Sequence, residues 1–173
     1  MGGILLLLSL GQMGMASVPA TSTSGQKTGN LQERVLHALR MLPYDGVFSE
    51  IRYNIDNETV TLEGDVQWPI LKSDAENAVA RVDGVKKVVN DIEVLPLSSA
   101  DDSLRLRMYW AIYSQPGFEK YAVQATKPIR IIVKNGNVTL IGVVGSELDK
   151  TLAGTAARNV PFAFSVTNDL TVG

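Results

Sequence analysis

The chain repeats one succession of hydrophobic patterns twice. In the first copy, apolar residues recur at helical spacing over 31–42, alternate with polar residues over 51–55 and 60–66, return to helical spacing over 71–82, and end in a strand-like run over 85–94. Pro43 marks the end of the first helix. The pattern therefore predicts the element order α-β-β-α-β.

The second copy is related to the first by a shift of 78 residues. Residues 57–94 and 135–172 share 14 identities over 38 aligned positions without a gap. A repeat of this kind indicates an internal duplication. We therefore predict an α+β protein of two tandem α-β-β-α-β modules, residues 30–97 and 103–173, each with a three-stranded mixed sheet packed on two helices.

Short-range signals fix several element ends. Asn30 is predicted as the N-cap of the first helix, and Ser146 with Asp149 forms a capping box for the last helix. Asn135-Gly136 predicts a tight hairpin, because both residues tolerate positive φ. Gly64 is expected to form a β-bulge, and Gly84 to cap the second helix.

Each module is small, and this size has consequences for topology and packing. The hairpin is followed by a helix that returns the chain, and a right-handed crossover makes the third strand parallel to the second. A module of roughly 65 residues buries little surface and is marginally stable alone. The two modules are therefore expected to dock on each other.

The N-terminus has the pattern of a secretory signal. An apolar run over 4–10 is far shorter than a membrane span and is followed by small residues that end in the possible cleavage sequences GMA (14–16) and VPA (18–20). We interpret residues 1–20 as a signal peptide and the polar residues 21–29 as a linker. This pattern predicts export to the periplasm.

Composition excludes several function classes. The chain has no cysteine, so disulfides and thiolate chemistry are absent. A net charge of −2 does not favour nucleic-acid binding. His37, the only histidine, lies among solvent-facing helix positions, and the carboxylates around the first hairpin are typical of a charged sheet edge. The sequence thus predicts neither an enzyme nor a cofactor site.

Two segments of the first copy resemble the BON domain, the bacterial OsmY and nodulation module. They are VTLEGDV at 60–66, followed by Trp68, and VDGV at 82–85, followed by VVNDIEV at 88–94. The second copy departs from this pattern, since Pro161 and Phe162 replace Asp83 and Gly84. The resemblance implies a non-enzymatic module of the bacterial envelope, linked to osmotic protection, membrane integrity and, in some members, phospholipid binding.

The two copies differ in charge. Residues 30–97 carry seven Lys/Arg and twelve Asp/Glu, a net −5, whereas residues 103–173 carry eight and four, a net +4. Basic and aromatic residues concentrate early in the second copy and suit an anionic lipid interface. The candidate lipid- or partner-binding residues are Arg105, Arg107, Trp110, Phe118, Lys120, Tyr121 and Lys127. Phe118 and Tyr121 are preferred because they fall in a predicted loop.

Two functional hypotheses remain open at this point. The modules bind protein partners or associate with each other, within one chain or between chains, through their opposite charges. Alternatively, the basic and aromatic second module binds the surface of an anionic phospholipid membrane. Both place the protein in cell-envelope maintenance or osmotic stress protection, and neither requires catalysis.

Overall fold

The computed structural model describes residues 23–173, with side chains from residue 30 onward. The predicted signal peptide lies outside the described residues. In chain order the first module contains α1 (Thr23–Arg40), β1 (Glu50–Asp56), β2 (Thr59–Val66), α2 (Pro69–Ala80) and β3 (Lys87–Val94). The second contains α3 (Ser99–Tyr113), α4 (Glu119–Ala122), β4 (Ile129–Lys134), β5 (Asn137–Val144), α5 (Glu147–Arg158) and β6 (Ser165–Val172).

The predicted fold class is confirmed. Each module has a three-stranded sheet, with orders β1-β2-β3 and β4-β5-β6. The first two strands of each sheet are antiparallel and the third is parallel to the second. In the first module the core is formed by apolar side chains of α1, α2 and the inner sheet face. The second module repeats this arrangement with a larger core.

The duplication extends to the hydrogen bonds between sheet and helix. Asn90 Nδ2 donates to the carbonyl oxygen of Lys72 at 3.0 Å, and Asn168 Nδ2 donates to that of Lys150 at 2.8 Å. Asn57 and Asn135 both have positive φ in the two hairpin turns. The retained asparagines therefore hold equivalent positions in both modules.

Gly64 does not form the expected bulge. It pairs in register with Ile51, and its equivalent Gly142 pairs in register with Ile129. Both glycines have φ above +120°, and a Cβ would lie 2.1 Å from the Glu50 carbonyl oxygen or 1.9 Å from that of Pro128. The glycines are therefore required by close strand approach at a positive φ.

One predicted helix start is corrected. Helix α1 begins at Thr23, so part of the predicted linker is helical and Asn30 is not an N-cap. The Asn30 side chain instead accepts a hydrogen bond from Arg34 at 2.6 Å. Helix α3 begins at Ser99, four residues before the predicted second module, because Ser98 Oγ accepts a hydrogen bond from the Asp101 backbone N–H.

The modules dock on each other, as their size predicts. The backbone N–H of Ile131 donates to the carbonyl oxygen of Val47 at 2.8 Å, and Val47 and Phe48 pack against the second core. Arg130 forms a bidentate pair with Asp45, with distances of 3.2 and 2.9 Å. The loop between α1 and β1 is thus shared by both modules.

Candidate functional site

Four large apolar side chains are exposed on α3 and on the α5–β6 connection of the second module. Leu106 and Trp110 lie one turn apart on the outer face of α3, and Phe162 of the connection lies against Arg107 of the same helix, while Phe164 lies beside Gly136 of the β4–β5 hairpin. We call this set the aromatic surface: Leu106, Trp110, Phe162 and Phe164, which are 55%, 64%, 79% and 83% exposed. Large apolar side chains exposed together are typical of interaction sites.

Arg107 connects the helix to the α5–β6 connection. Its guanidinium lies 5.4 Å from the centre of the Phe162 ring, within the range of a cation–π contact. Arg158, at the C-terminal end of α5, is also exposed. Arg107 therefore places a cation against one apolar side chain of the aromatic surface.

Phe162 adopts a backbone conformation that a side chain of its size rarely adopts. Its φ is +72°, in the left-handed region that favours glycine. A bulky residue held there costs about 1–3 kcal/mol. Because the ring is exposed, core packing does not repay this strain. The strained and exposed ring is therefore a candidate contact residue.

The equivalent surface of the first module is polar. A shift of 73 residues aligns the buried α1 positions with those of α3, and the shift of 78 applies to the strands. The counterparts of Leu106, Trp110, Phe162 and Phe164 are then Glu33, His37, Gly84 and Lys86. Gly84 keeps the positive φ of this position without strain. The aromatic surface is thus specific to the second module.

The seven residues predicted for binding do not form one surface. Trp110 and Arg107 belong to the aromatic surface. Arg105 is buried; its guanidinium donates to the carbonyl oxygen of Val133 at 2.7 Å and to Asp102 at 2.5 Å. Its role in the structure is therefore to hold α3 against β4.

Phe118 and Tyr121 are not free, and the expectation of an exposed loop is wrong. The short helix α4 directs both rings into the second core, where Phe118 is fully buried and Tyr121 nearly so. The Tyr121 hydroxyl donates to Asp149 at 2.7 Å and accepts from the Gly145 N–H at 2.7 Å. These two rings cannot contact a partner while α4 is packed.

Lys120 and Lys127 also have partners inside the chain. Lys120 Nζ donates to Asp149 Oδ2 at 2.8 Å. The hydrogen bond from Lys120 is the main cause of the lowered pKa of Asp149, and the hydrogen bond from Tyr121 is the second. The bond between Lys120 and Asp149 also raises the pKa of Lys120. Lys127 Nζ donates to the carbonyl oxygens of Ala122 and Gln124 at 2.6 and 2.7 Å. Both lysines therefore stabilise α4.

An open cleft of about 590 Å³ separates the two sheets and has a mixed charge. Its first-module wall carries the carboxylates Glu63, Asp65, Asp91 and Glu93. From the second module, Lys134 pairs with Glu93 and approaches Asp65 at 3.9 Å. The hydrogen bond from Lys134 lowers the pKa of Glu93. Within residues 30–173, no group of acidic or histidine side chains has the arrangement of a metal site.

The geometry therefore describes two small sheets packed on helices, with exposed aromatic side chains on the second module. None of the described helices combines the length and apolar character needed to cross a membrane. The sequence profile of the BON domain matches residues 27–96 and 118–173. The chain belongs to the BON domain family, whose members are non-catalytic modules associated with the envelope.

Two solved structures of CdsD, a structural protein of the type III secretion system of Chlamydia trachomatis, were also matched. The C-terminal domain structure is 18% identical with a TM-score of 0.32, and the match covers 83% of this chain and 64% of that one. The second is 14% identical with a TM-score of 0.29, covering 83% and 92%. At these scores the match carries no functional inference. The comparison with curated proteins gave no match.

Proposed function

We propose that the protein is an exported envelope protein that attaches to anionic phospholipid through the aromatic surface. The observation that carries this proposal is the group of four exposed apolar side chains, one of them held in a strained conformation. Trp and Phe rings suit the headgroup zone of a bilayer. Arg107 adds attraction to anionic lipid, at about 1 kcal/mol for a cation near the membrane.

The distribution of charges favours association of the modules within one chain over association between copies. Arg130 pairs with Asp45 and lies 3.9 Å from Glu50, while Lys134 pairs with Glu93. These contacts join the modules within one chain. The opposite net charges are therefore already used in internal docking and do not require a second copy.

Vesicle co-sedimentation tests the proposal. The full chain is mixed with vesicles of phosphatidylglycerol and phosphatidylethanolamine, or of neutral phosphatidylcholine. We expect preference for the anionic vesicles and about a tenfold loss of binding in Trp110→Ser, because burying an aromatic ring contributes about 1.5 kcal/mol. Trp68→Ser removes the exposed indole of the first module and serves as the matched control.

Two results would contradict lipid attachment through this surface. One is equal binding to charged and neutral vesicles. The other is equal loss of binding in Trp68→Ser and Trp110→Ser, which would indicate that any exposed indole contributes. Circular dichroism of each variant checks that the fold is retained.

A further inference from the structure

Three residues outside the second sheet, Tyr113, Val47 and Arg105, form hydrogen bonds with the outer edge of β4. The Tyr113 hydroxyl donates to the carbonyl oxygen of Ile129 at 2.7 Å and accepts from the Ile129 N–H at 3.2 Å. The Ile131 N–H donates to Val47, and the Val133 carbonyl accepts from Arg105. The Ile129 N–H and carbonyl, the Ile131 N–H and the Val133 carbonyl are thus capped from outside the sheet.

The equivalent edge of the first sheet lacks these caps. Ile51, Tyr53 and Ile55 of β1 correspond to Ile129, Ile131 and Val133 by the shift of 78. The positions of Tyr113 and Arg105 are taken by Arg40 and Gln32. Within residues 30–173, no hydrogen bond outside the β1–β2 ladder reaches the backbone of these three β1 residues.

Exposure of the side chains shows the same difference. Ile129, Ile131 and Val133 are fully buried, whereas Ile51, Tyr53 and Ile55 are only partly buried against their core. A crevice of about 180 Å³ runs along this edge between α1 and β1. Its walls include Leu36, Leu39 and Arg40 of α1, Thr126 and Arg130 of the second module, and the carboxylates of Asp45 and Glu50, which pair with or approach Arg130. The outer edge of β1 is therefore uncapped, and the crevice leaves space beside it.

The chain itself shows how such an edge is covered. At β4, a segment of the first module places the Val47 carbonyl against a strand N–H, the Asp45 carboxylate against Arg130 and the Phe48 ring against Tyr109. At β1, Tyr53 supplies the equivalent N–H. Arg40 lines the crevice and makes no ion pair with another residue in 30–173.

We propose that the outer edge of β1 pairs with an extended segment of a partner protein. This segment has apolar side chains at alternate positions and a carboxylate that meets Arg40. Addition of a strand to an exposed sheet edge provides affinity through backbone hydrogen bonds and specificity through alternate side chains. The site lies on the first module and is independent of lipid binding by the second.

Selection from a displayed library of random nine-residue peptides, with the full chain as bait, tests the proposal. We expect enrichment of peptides that alternate apolar and polar residues and contain Asp or Glu. For a synthetic copy of an enriched peptide, Arg40→Ala should weaken binding about two- to fivefold, as for an exposed ion pair. Lys86→Ala, which removes another exposed first-module cation, should leave it unchanged.

Amide hydrogen exchange on the unaltered chain locates the bound peptide without any substitution. Protection should increase at Tyr53 and Ile55, while Ile131, already bonded to Val47, serves as the internal reference. Tyr53→Pro removes the outward N–H and should weaken binding at least about tenfold.

Three outcomes would overturn the assignment. The first is a selection that enriches no alternating sequence. The second is protection by the peptide at residues other than those of the β1 edge. The third is a dimer of the chain, detected by sedimentation and lost in Tyr53→Pro, which would assign the edge to a second copy.

Discussion

The two modules share their strands, their hairpin turns and the asparagines that hydrogen-bond the second helix to the sheet. They differ at the outer sheet edge and at the exposed face of the first helix. The second module has a closed sheet edge and an apolar helical face. The first has an open sheet edge, and its corresponding helical face carries Glu33 and His37. Because the buried positions are retained while these two surfaces diverge, the two proposed binding surfaces lie on different modules. Four predictions test this difference, in order of expected effect.

The largest effect on stability is expected from substitution of Phe118, a core residue of the second module that can be compared with the exposed Trp110. Phe118→Ala should lower the free energy of unfolding by about 3–5 kcal/mol, because it removes a fully buried ring. Trp110→Ala should change it by less than about 1 kcal/mol, since that ring is largely exposed. Urea denaturation measures both. A smaller cost for Phe118→Ala than for Trp110→Ala would contradict the placement of α4.

The next effect concerns the cap on β4. Tyr113→Phe leaves the Ile129 N–H and carbonyl without their hydroxyl partner in a buried site and should cost about 1–3 kcal/mol. Arg40→Ala, at the equivalent position of the first module, should cost under about 0.5 kcal/mol. Similar costs measured by thermal unfolding would indicate that the two edges do not differ.

Gly84 and Phe162 occupy the same position of the two modules, and both have positive φ. Exchanging these residue types should change the stability of the protein in opposite directions. Phe162→Gly should stabilise the protein by about 1 kcal/mol, because glycine adopts positive φ without strain. Gly84→Phe should destabilise it by a similar amount. Calorimetry measures both changes. If Phe162→Gly also weakens vesicle binding, stability and binding are opposed at this residue; a destabilised Phe162→Gly protein would remove the argument from strain.

The smallest effect is on pH dependence. The folded state lowers the pKa of Asp149, so this carboxylate stabilises the fold above its unfolded pKa of about 4. The stabilisation is lost as the pH falls through the lowered value, because the unfolded state then binds more protons. Asp149→Asn should therefore flatten the acid side of a stability profile measured between about pH 2 and pH 6. Asp169→Asn, at an exposed position, is the control.

Much of the fold could be predicted from the sequence because it depends on local signals. Local signals such as the alternation of apolar residues, the Asn135-Gly136 turn and the Ser146 cap each act within a few residues. Because the chain contains a duplication, the same pattern occurs twice and each copy supports the prediction for the other. Gly64 was misinterpreted because its requirement comes from the neighbouring strand. A close approach between strands leaves no mark in the spacing of one strand.

The candidate site was only partly predictable, for a related reason. The sequence places basic and aromatic residues together early in the second module, but burial decides which of them reach solvent. Phe118 enters the core through α4, a helix too short to show a hydrophobic period. Phe162 and Phe164 follow α5, far along the chain from Trp110. Their alignment with Gly84 and Lys86 was the signal that could have identified them.

The shared loop has a consequence for how the duplication can evolve. Val47 and Phe48 are encoded with the first module but pack on the core of the second. A second module separated at residue 97 would lose these residues and expose part of the β4 edge, where another strand could pair. Transfer of the second module alone into a new gene therefore requires a substitute for this loop. The loop that carries Val47 and Phe48 is therefore needed with the second module to keep its sheet edge covered.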